Sequence, residues 1–341
     1  MTDTGARPAL SFVIPVFNEE GNVGPLHAEI SRVATSLGRS YEILFVNDGS
    51  RDATRDNLLA IAETDPHLRV VDLDGNFGEA GALSAGFSVA RGQLICTMDG
   101  DGQNDPADIP RLISRLESQG LDVVSGRRAQ REEAFLTRVV PSWVANSMIA
   151  RATGVPVHDC GCGLKVYRRS VVQGAQLPKG MNRFLPAILG VDRRRVTELV
   201  VNDRQRGSGA SHYGLWRVAV VFRDLPSLPF LVRRPLPGKA TVRGLGVAAV
   251  LLAAVTLLAT VAAAIHPVTL LLAPASGLAA GAAWAARHNI TRFLAAGRQG
   301  VFRVRSVLDG NAAARHRDRG RGLLGQEPAP DVQPAAFRAR R

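Results

Sequence analysis

The sequence predicts an α/β domain built on a mostly parallel sheet with helices on both faces, followed by an apolar two-helix segment near the carboxyl end. Two observations carry this. Through the first 130 or so residues, short apolar runs alternate with helical stretches, the pattern of strands joined by crossover helices. The 43 residues from Gly244 to Ala286 then contain no Asp, Glu, Lys or Arg, about twice the roughly 20 that cross a bilayer as one helix.

Taken in order, Leu10 to Pro15 reads as the first strand, a polar FNEEGN patch follows, and a helical stretch to about Leu37 leads into a second strand at Tyr41 to Val46. LRVVDL (68–73) is the third strand, and a Gly- and Ala-rich helix follows from about Ala80 to Ala90. QLICTMD (93–99), a helix near Pro106 to Gln119 and DVVSG (122–126) continue the alternation. Buried parallel strands are continuous apolar runs, as these are. Ligands of such sheets sit beyond the carboxyl ends of the strands, which makes Asn18 to Glu20, Asn47 to Ser50 and Asp99 to Gln103 site candidates as a group. After Arg127 the pattern loosens to a helix at Pro141 to Thr153, a Cys- and Gly-rich loop at His158 to Gly163, and a strand at TELVV (197–201). SHYGLWRVAVVFRDL reads as an amphipathic helix leading to the membrane.

Leu245 to Ile265 and Val268 to Ala286 are each long enough to span, separated by His266-Pro267. Basic flanks (Arg233, Arg234, Lys239 and Arg243 before; twelve Arg against four acids from Arg287 to Arg341) place both ends on the cytoplasmic side. The turn is short enough that a re-entrant pair is an alternative to a spanning hairpin. The expected organisation is a domain at 1–225, a juxtamembrane linker at 226–243, two transmembrane helices at 244–286, and a basic, partly disordered cytoplasmic tail at 287–341. The chain has 42 Lys and Arg against 30 Asp and Glu, a net +12, and 46% hydrophobic residues. That composition excludes a disordered or collagen-like chain. Only three Trp and three Tyr are present, too few for the stacking platforms of a nucleic-acid binder. Cys96, Cys160 and Cys162 do not make a disulfide framework, which suits a reducing compartment. The amino terminus shows no signal peptide.

The densest chemistry is Asp99-Gly-Asp101-Gly-Gln103, which puts two carboxylates and an amide oxygen on a tight turn after a strand. Such oxygen ligands suit Mg²⁺ or Mn²⁺, an ion that neutralises charge developing on a departing diphosphate. The bland reading of the same residues is a solvated turn. Asp48 in VNDGS can accept hydrogen bonds from a nucleobase or ribose, or cap the helix after Ser50; Glu19 and Glu20 carry the same two readings. Cys160-Gly-Cys162 lacks a second thiol pair and makes a poor zinc site. No His, Cys and acid set points to a nucleophilic triad.

PVFNEE, VNDGS, NFG, MDGDGQNDP, SGRR, HDCGCGLKVYRR, MNRFLPAILG and RQRGSGASHYG, in that order over residues 10 to 225, resemble the family 2 glycosyltransferases that act on polyprenyl phosphates, of the dolichol-phosphate mannosyltransferase and undecaprenyl-phosphate glycosyltransferase type. The resemblance implies a GT-A (Rossmann-like) fold with Pro15, Asn18, Glu20, Asp48 and Asp99 around the nucleotide sugar, and Asp99, Asp101 and Gln103 at the metal. It implies Asp101, Arg127 and Lys165 as catalytic residues, and Arg128, Arg204, Arg206, Ser211 and His212 at the acceptor phosphate. His212 stands where relatives usually have Lys, which would make that charge pH-dependent. Asp203 replaces a usual His, and Gly75 and Glu79 stand where many relatives have basic residues.

The implied reaction is inverting transfer of a sugar from a GDP- or UDP-linked donor to a polyprenyl phosphate at the cytoplasmic face of the inner membrane, by a multi-pass protein with a cytoplasmic catalytic domain. A non-catalytic nucleotide-sugar-binding regulator and a polysaccharide synthase are the alternatives. The latter would want a Q-x-x-R-W motif and further spans, neither of which is present. A homo-oligomer is compatible with two short spans that bury little alone.

Overall fold

The computed structural model describes residues 7–128, 154, 157–204, 223–232, 236–262 and 272–310. Eight strands, β1 (Leu10–Val16), β2 (Tyr41–Asn47), β3 (Leu68–Leu73), β4 (Leu94–Thr97), β5 (Val123–Arg128), β6 (Lys165–Arg168), β7 (Val196–Val201) and β8 (Val304–Asp309), make one sheet in the order β7-β5-β6-β4-β1-β2-β3-β8. The centre is parallel, β4-β1-β2-β3, as the alternation predicts. The expectation of a mostly parallel sheet holds, since β7 also pairs parallel with β5, but two strands depart from it: β6 runs antiparallel between β4 and β5, and β8 runs antiparallel to β3. The sheet is mixed. β6 is hidden in the sequence because LKVYRR looks basic and loop-like, although Lys165, Val166 and Tyr167 are all buried.

Four helices pack on this sheet or on one another: α1 (Val23–Ser36), α2 (Thr54–Ala62), α3 (Gly78–Val89) and α4 (Ile109–Ser118). In α4 the buried residues Ile109, Leu112, Ile113 and Leu116 follow helical spacing and pack against β5 and β6. In α3 every residue from Ala80 to Phe87 is buried, so the helix has no polar face and is made of small residues that let β1 and β2 approach. The core runs through Phe12, Ile14, Ile43, Phe45, Leu58, Val70, Cys96, Leu112 and Leu116. Burying a large aliphatic or aromatic side chain contributes about 1.5–3 kcal/mol, which ties the central strands to the helices over them and holds the strand ends in place.

A second unit contains α5 (Lys239–Ala262) and α6 (Leu272–Gln299) as far as Ala295. Among the described residues α5 alone is long and apolar enough to cross a membrane, with a mean hydropathy of 2.5 over its most apolar window. The two helices meet at small residues: a Cβ on Gly277 would lie 3.5 Å from Thr256 Cγ2, and Thr256 Oγ1 donates to Ser276 Oγ at 2.9 Å. Within the same unit Asn289 Nδ2 donates to the buried Asp224 carboxylate at 3.1 Å. α6 runs through Ala286, the expected end of the apolar segment, as far as Gln299, and β8 follows it. The His266-Pro267 turn, the helix expected at 141–153, most of that expected at 212–225 and the tail after Gly310 lie outside the described residues.

Candidate active site

The carboxyl ends of β1, β2 and β4 gather the polar turns singled out in the sequence. After β1, Asn18 adopts a left-handed φ of 55°, a conformation Asn tolerates better than most residues. Its Oδ1 accepts the Arg51 N–H at 2.8 Å and its own N–H reaches Ser50 Oγ at 3.0 Å. Glu20 Oε2 accepts the Ala53 N–H at 2.9 Å. The FNEE turn is thereby laced to the turn after β2, and Asn18 and Glu20 are exposed on it.

Asp48 does cap a helix, but a different one from that expected. Its two carboxylate oxygens accept the Phe77 and Gly78 N–H groups at 2.7 and 2.8 Å, closing the amino terminus of α3 rather than that of α2. Burial pushes its pKa up, and the two amide donors and the charge of Lys179 oppose that rise. Gly49 permits this geometry: its φ is +71°, and a Cβ there would lie 2.8 Å from the Gly75 carbonyl carbon.

The Asp99-to-Gln103 turn is equally dependent on close approach. A Cβ on Gly100 would lie 2.8 Å from the Pro15 carbonyl oxygen, so the turn lies directly on the end of β1. Asp99 N–H donates to the buried Asn104 Oδ1 at 3.0 Å, and the Gln103 N–H donates to Asp101 Oδ1 at 3.1 Å. Burial and the nearby carboxylates of Glu79 and Asp101 push the Asp99 carboxyl up to about 8, against the pull of Lys165 and Arg128. Among the described residues no three His, Cys, Asp or Glu side chains converge as a preformed cage. Two part-buried carboxylates that repel one another nevertheless fit a divalent cation, which a bound diphosphate would help to ligate.

The basic residues are more committed than the sequence suggests. Arg128 donates from Nε and Nη2 to the two oxygens of Asp159 at 2.8 and 3.0 Å; burial works against its charge, but the Asp159 pairing more than restores it. Of the SGRR pair, Arg128 acts on Asp99 through its charge. Arg127 is exposed, and successive residues of a strand face opposite sides. Lys165 is 4% exposed, its ammonium donates to the Cys162 carbonyl away from solvent, and its charge acts on Asp99. Arg204 is held by Glu29 and Asp105, each at 2.7 Å. Arg206, Ser211 and His212 lie outside the described residues.

Several contributors were not singled out in the sequence. A Cβ on Gly163 would collide with the Asp99 carboxylate, so this glycine sets where that carboxylate sits. Glu198 on β7 accepts the N–H groups of His158 and Asp159 at 2.6 and 2.9 Å and anchors the Cys-Gly loop. In that loop burial pushes both the Cys160 and Cys162 thiols up to about 12, as befits structural cysteines. Lys179 lays its aliphatic stem over Gly78, 3.1 Å from where a Cβ would be, with its charge acting on Asp48. Only HDCGCG carried a local signal; Lys179 lies about 130 residues from Asp48 in sequence and had none.

Known proteins share this architecture. Residues 11–174 match Glycosyl transferase family 2. The chain is 44% identical over 227 residues to the dodecaprenyl-phosphate galacturonate synthase of Rhizobium johnstonii, spanning 66% of this chain and 67% of that protein. It is 40% identical over 217 residues to the undecaprenyl-phosphate 4-deoxy-4-formamido-L-arabinose transferase of Pseudomonas aeruginosa, and there the match spans 63% of each chain, somewhat under two thirds of that relative's length. The solved glucosyl-3-phosphoglycerate synthase of Mycobacterium tuberculosis, in complex with Mn²⁺ and UDP-glucose, superposes with a TM-score of 0.51 at 18% identity, over 69% of this chain and 82% of that one. Such a likeness establishes a shared GT-A fold, while the 44% identity to the galacturonate synthase, over 67% of that protein, establishes the lineage: the chain belongs to glycosyl transferase family 2.

Proposed function

We propose that this protein transfers a sugar from a nucleotide-sugar donor to a polyprenyl phosphate, giving a polyprenyl-phosphate sugar and a nucleoside diphosphate. The observation that carries the reading is the 44% identity to a dodecaprenyl-phosphate galacturonate synthase over a stretch of 227 residues. The donor is GDP- or UDP-linked; the fold relative solved with UDP-glucose supports the latter. The nucleotide lies against Pro15, Asn18, Glu20 and Asp48, and its diphosphate reaches Asp99, Asp101 and Gln103. These three residues would hold Mg²⁺ or Mn²⁺, which would offset the negative charge of the leaving diphosphate.

A phosphate monoester has a second pKa near 6, so at neutral pH the acceptor is largely a dianion and needs no strong base. A phosphate oxygen attacks the anomeric carbon as the bond from that carbon to the diphosphate oxygen breaks, and the nucleoside diphosphate leaves with the electron pair. The configuration inverts. Asp101 positions the reactants. Lys165 and Arg128 hold the charge balance around Asp99, and Arg127, Arg204, Arg206, Ser211 and His212 supply the wider acceptor surface. Holding two bound reactants in register is a large part of such catalysis. α5 and α6 form a hairpin in the inner membrane with both ends on the cytoplasmic side. The exposed Val247, Val250, Leu251, Leu257 and Leu258 on α5 favour this, since water would not tolerate that surface.

The test is transfer of radiolabelled sugar into organic-extractable lipid by purified protein with undecaprenyl phosphate, Mg²⁺ and a panel of GDP and UDP sugars, uronates and aminopentoses included. One donor should be active, with activity lost in EDTA and in Asp101→Ala. Donor binding with no transfer from any donor would overturn the reading in favour of a regulator.

A further inference from the structure

The strand that follows the second long helix does more than cover a sheet edge. Three ion pairs join β8 and its approach to β3 and the turn after it: Arg69 Nε to Asp309 at 2.5 Å, Arg305 to Asp72 at 3.4 Å and Arg303 to Asp74 at 3.0 Å. The middle pair differs from the other two in where it leads. Asp72 is 1% exposed, and its carboxylate also accepts Asn47 Nδ2 at 2.7 Å and Arg55 Nε at 3.1 Å. Asn47 in turn accepts the Ser50 N–H on its Oδ1 at 3.1 Å, closing the turn that carries Asp48. The approach to β8 touches the other support of Asp48 as well. The Val301 carbonyl lies 3.4 Å from where a Cβ on Gly81 would be, along the first turn of α3, whose amino-terminal N–H groups bind Asp48.

We propose that Arg305 is a positioning residue for the nucleotide half of the site, acting through Asp72 and Asn47 on the turn that carries Asp48. The donor pocket is then completed by a segment that lies, in sequence, beyond both long helices. This rests on the nucleotide-sugar reading above. A buried carboxylate must keep its acceptor oxygens satisfied; without Arg305 only Asn47 and the part-exposed Arg55 remain to Asp72, so withdrawing the Arg305 charge moves Asp72 and its partner Asn47, and with Asn47 the geometry of Asp48. Arg303 supplies an internal comparison: it makes the same kind of pair from the same segment, but its partner Asp74 is exposed, where Asp72 is buried.

The experiment uses the full chain in detergent with four variants, Arg305→Glu, Arg305→Gln, Arg305→Lys and Arg303→Glu. Donor dissociation constant, KM for each substrate and amide exchange over residues 46–52 are read for each. Arg305→Glu should weaken donor binding roughly tenfold, leave the acceptor KM within twofold and speed exchange in the 46–52 turn. Arg305→Gln should do the same to a lesser degree, while Arg305→Lys and Arg303→Glu stay near the parent. Equal weakening by Arg303→Glu and Arg305→Glu, or unchanged exchange in Arg305→Glu, would overturn the proposal and leave β8 as an edge cover. If the parent chain binds no nucleotide, the functional reading fails, and the exchange comparison still decides whether Arg305 positions the turn.

Discussion

Gly163→Ala is the sharpest probe of the Asp99 turn. A Cβ at 163 would meet all three carboxylate atoms of Asp99, and even the farthest, Oδ2, lies 2.5 Å away, about 0.9 Å inside ordinary contact at 3.4 Å. Neither partner can yield cheaply. Gly163 is tied by its carbonyl to Thr97 Oγ1 at 2.8 Å, and the Asp99 backbone is tied to Asn104. The carboxylate must therefore move by about the overlap. Overpacking of this kind costs about 1–3 kcal/mol of stability, and displacing a reacting group by about 1 Å costs about 10²-fold in rate. The expectation is a fall of about two decades in kcat/KM, with Mn²⁺ binding weakened in parallel, read by the lipid-transfer assay and by calorimetric titration. Gly161→Ala, two residues earlier in the same loop, is the control: its Cβ would sit 3.4 Å from Arg128 Nη2, an ordinary contact, and activity should be retained. If Gly163→Ala keeps its activity within threefold, Asp99 does not need the position it holds here.

Asp48→Asn leaves only one oxygen for two N–H donors, so it should lower stability by about 1–3 kcal/mol and raise the donor dissociation constant at least tenfold; an unchanged constant in a nucleotide titration would separate Asp48 from the donor. Lys179→Ala removes the cation beside that carboxylate and should weaken donor binding by roughly threefold to tenfold with no change in acceptor KM, measured by the same titration. For Asp99 the sign runs with proton uptake. Its carboxyl sits at about 8 in the folded chain against an ordinary 3.8, so the folded state holds the extra proton between those values and metal-free stability from this group falls as pH rises through the window. Mn²⁺ must displace that proton, so its affinity should rise with pH below 8, by up to about tenfold per unit, and level off above it. Titration calorimetry in buffers of different ionisation enthalpy would show the proton released, and a flat profile from pH 6 to 8 would refute the assignment.

The central strands and the polar turns beyond them were readable because each signal is local. Phe12, Ile14, Ile43 and Phe45 announce buried strands by being apolar in sequence, and turns that follow such strands fall together at one edge of the sheet. What could not be read depends on distance along the chain. β6 carries a buried lysine whose burial makes sense only once Cys162 offers its carbonyl. β8 sits in a stretch whose Arg content reads as a solvated tail until Asp72 and Asp74 are placed across from it. Asp48 shows the limit of local reasoning within the site. A carboxylate before a helix is a capping signal, yet the donors it finds belong to Phe77 and Gly78, about 30 residues on.

The basic residues pose the remaining question of how a lipid phosphate is held, because Arg128, Lys165 and Arg204 are each engaged inside the protein. Lys165 is too deeply placed to meet a phosphate directly, and Arg204 is turned toward Glu29 and Asp105. Arg128 is different: it lies in the surroundings of Asp99, and the anion that satisfies its fork, Asp159, has the planar two-oxygen geometry that a phosphate also offers. An acceptor that takes over Arg128 must compete with Asp159. Asp159→Asn turns one of the two acceptors into a donor and removes the competing charge, while Glu198 keeps its grip on the backbone N–H of residue 159. The loop should stay in place at a cost of about 1–3 kcal/mol, and the acceptor KM should fall by roughly threefold as the guanidinium becomes available. Steady-state transfer kinetics with melting curves separate the alternatives. A lower melting temperature with unchanged acceptor KM would make Arg128 a purely structural partner of Asp159, and would shift the phosphate contact to Arg127 and the residues that follow Arg204.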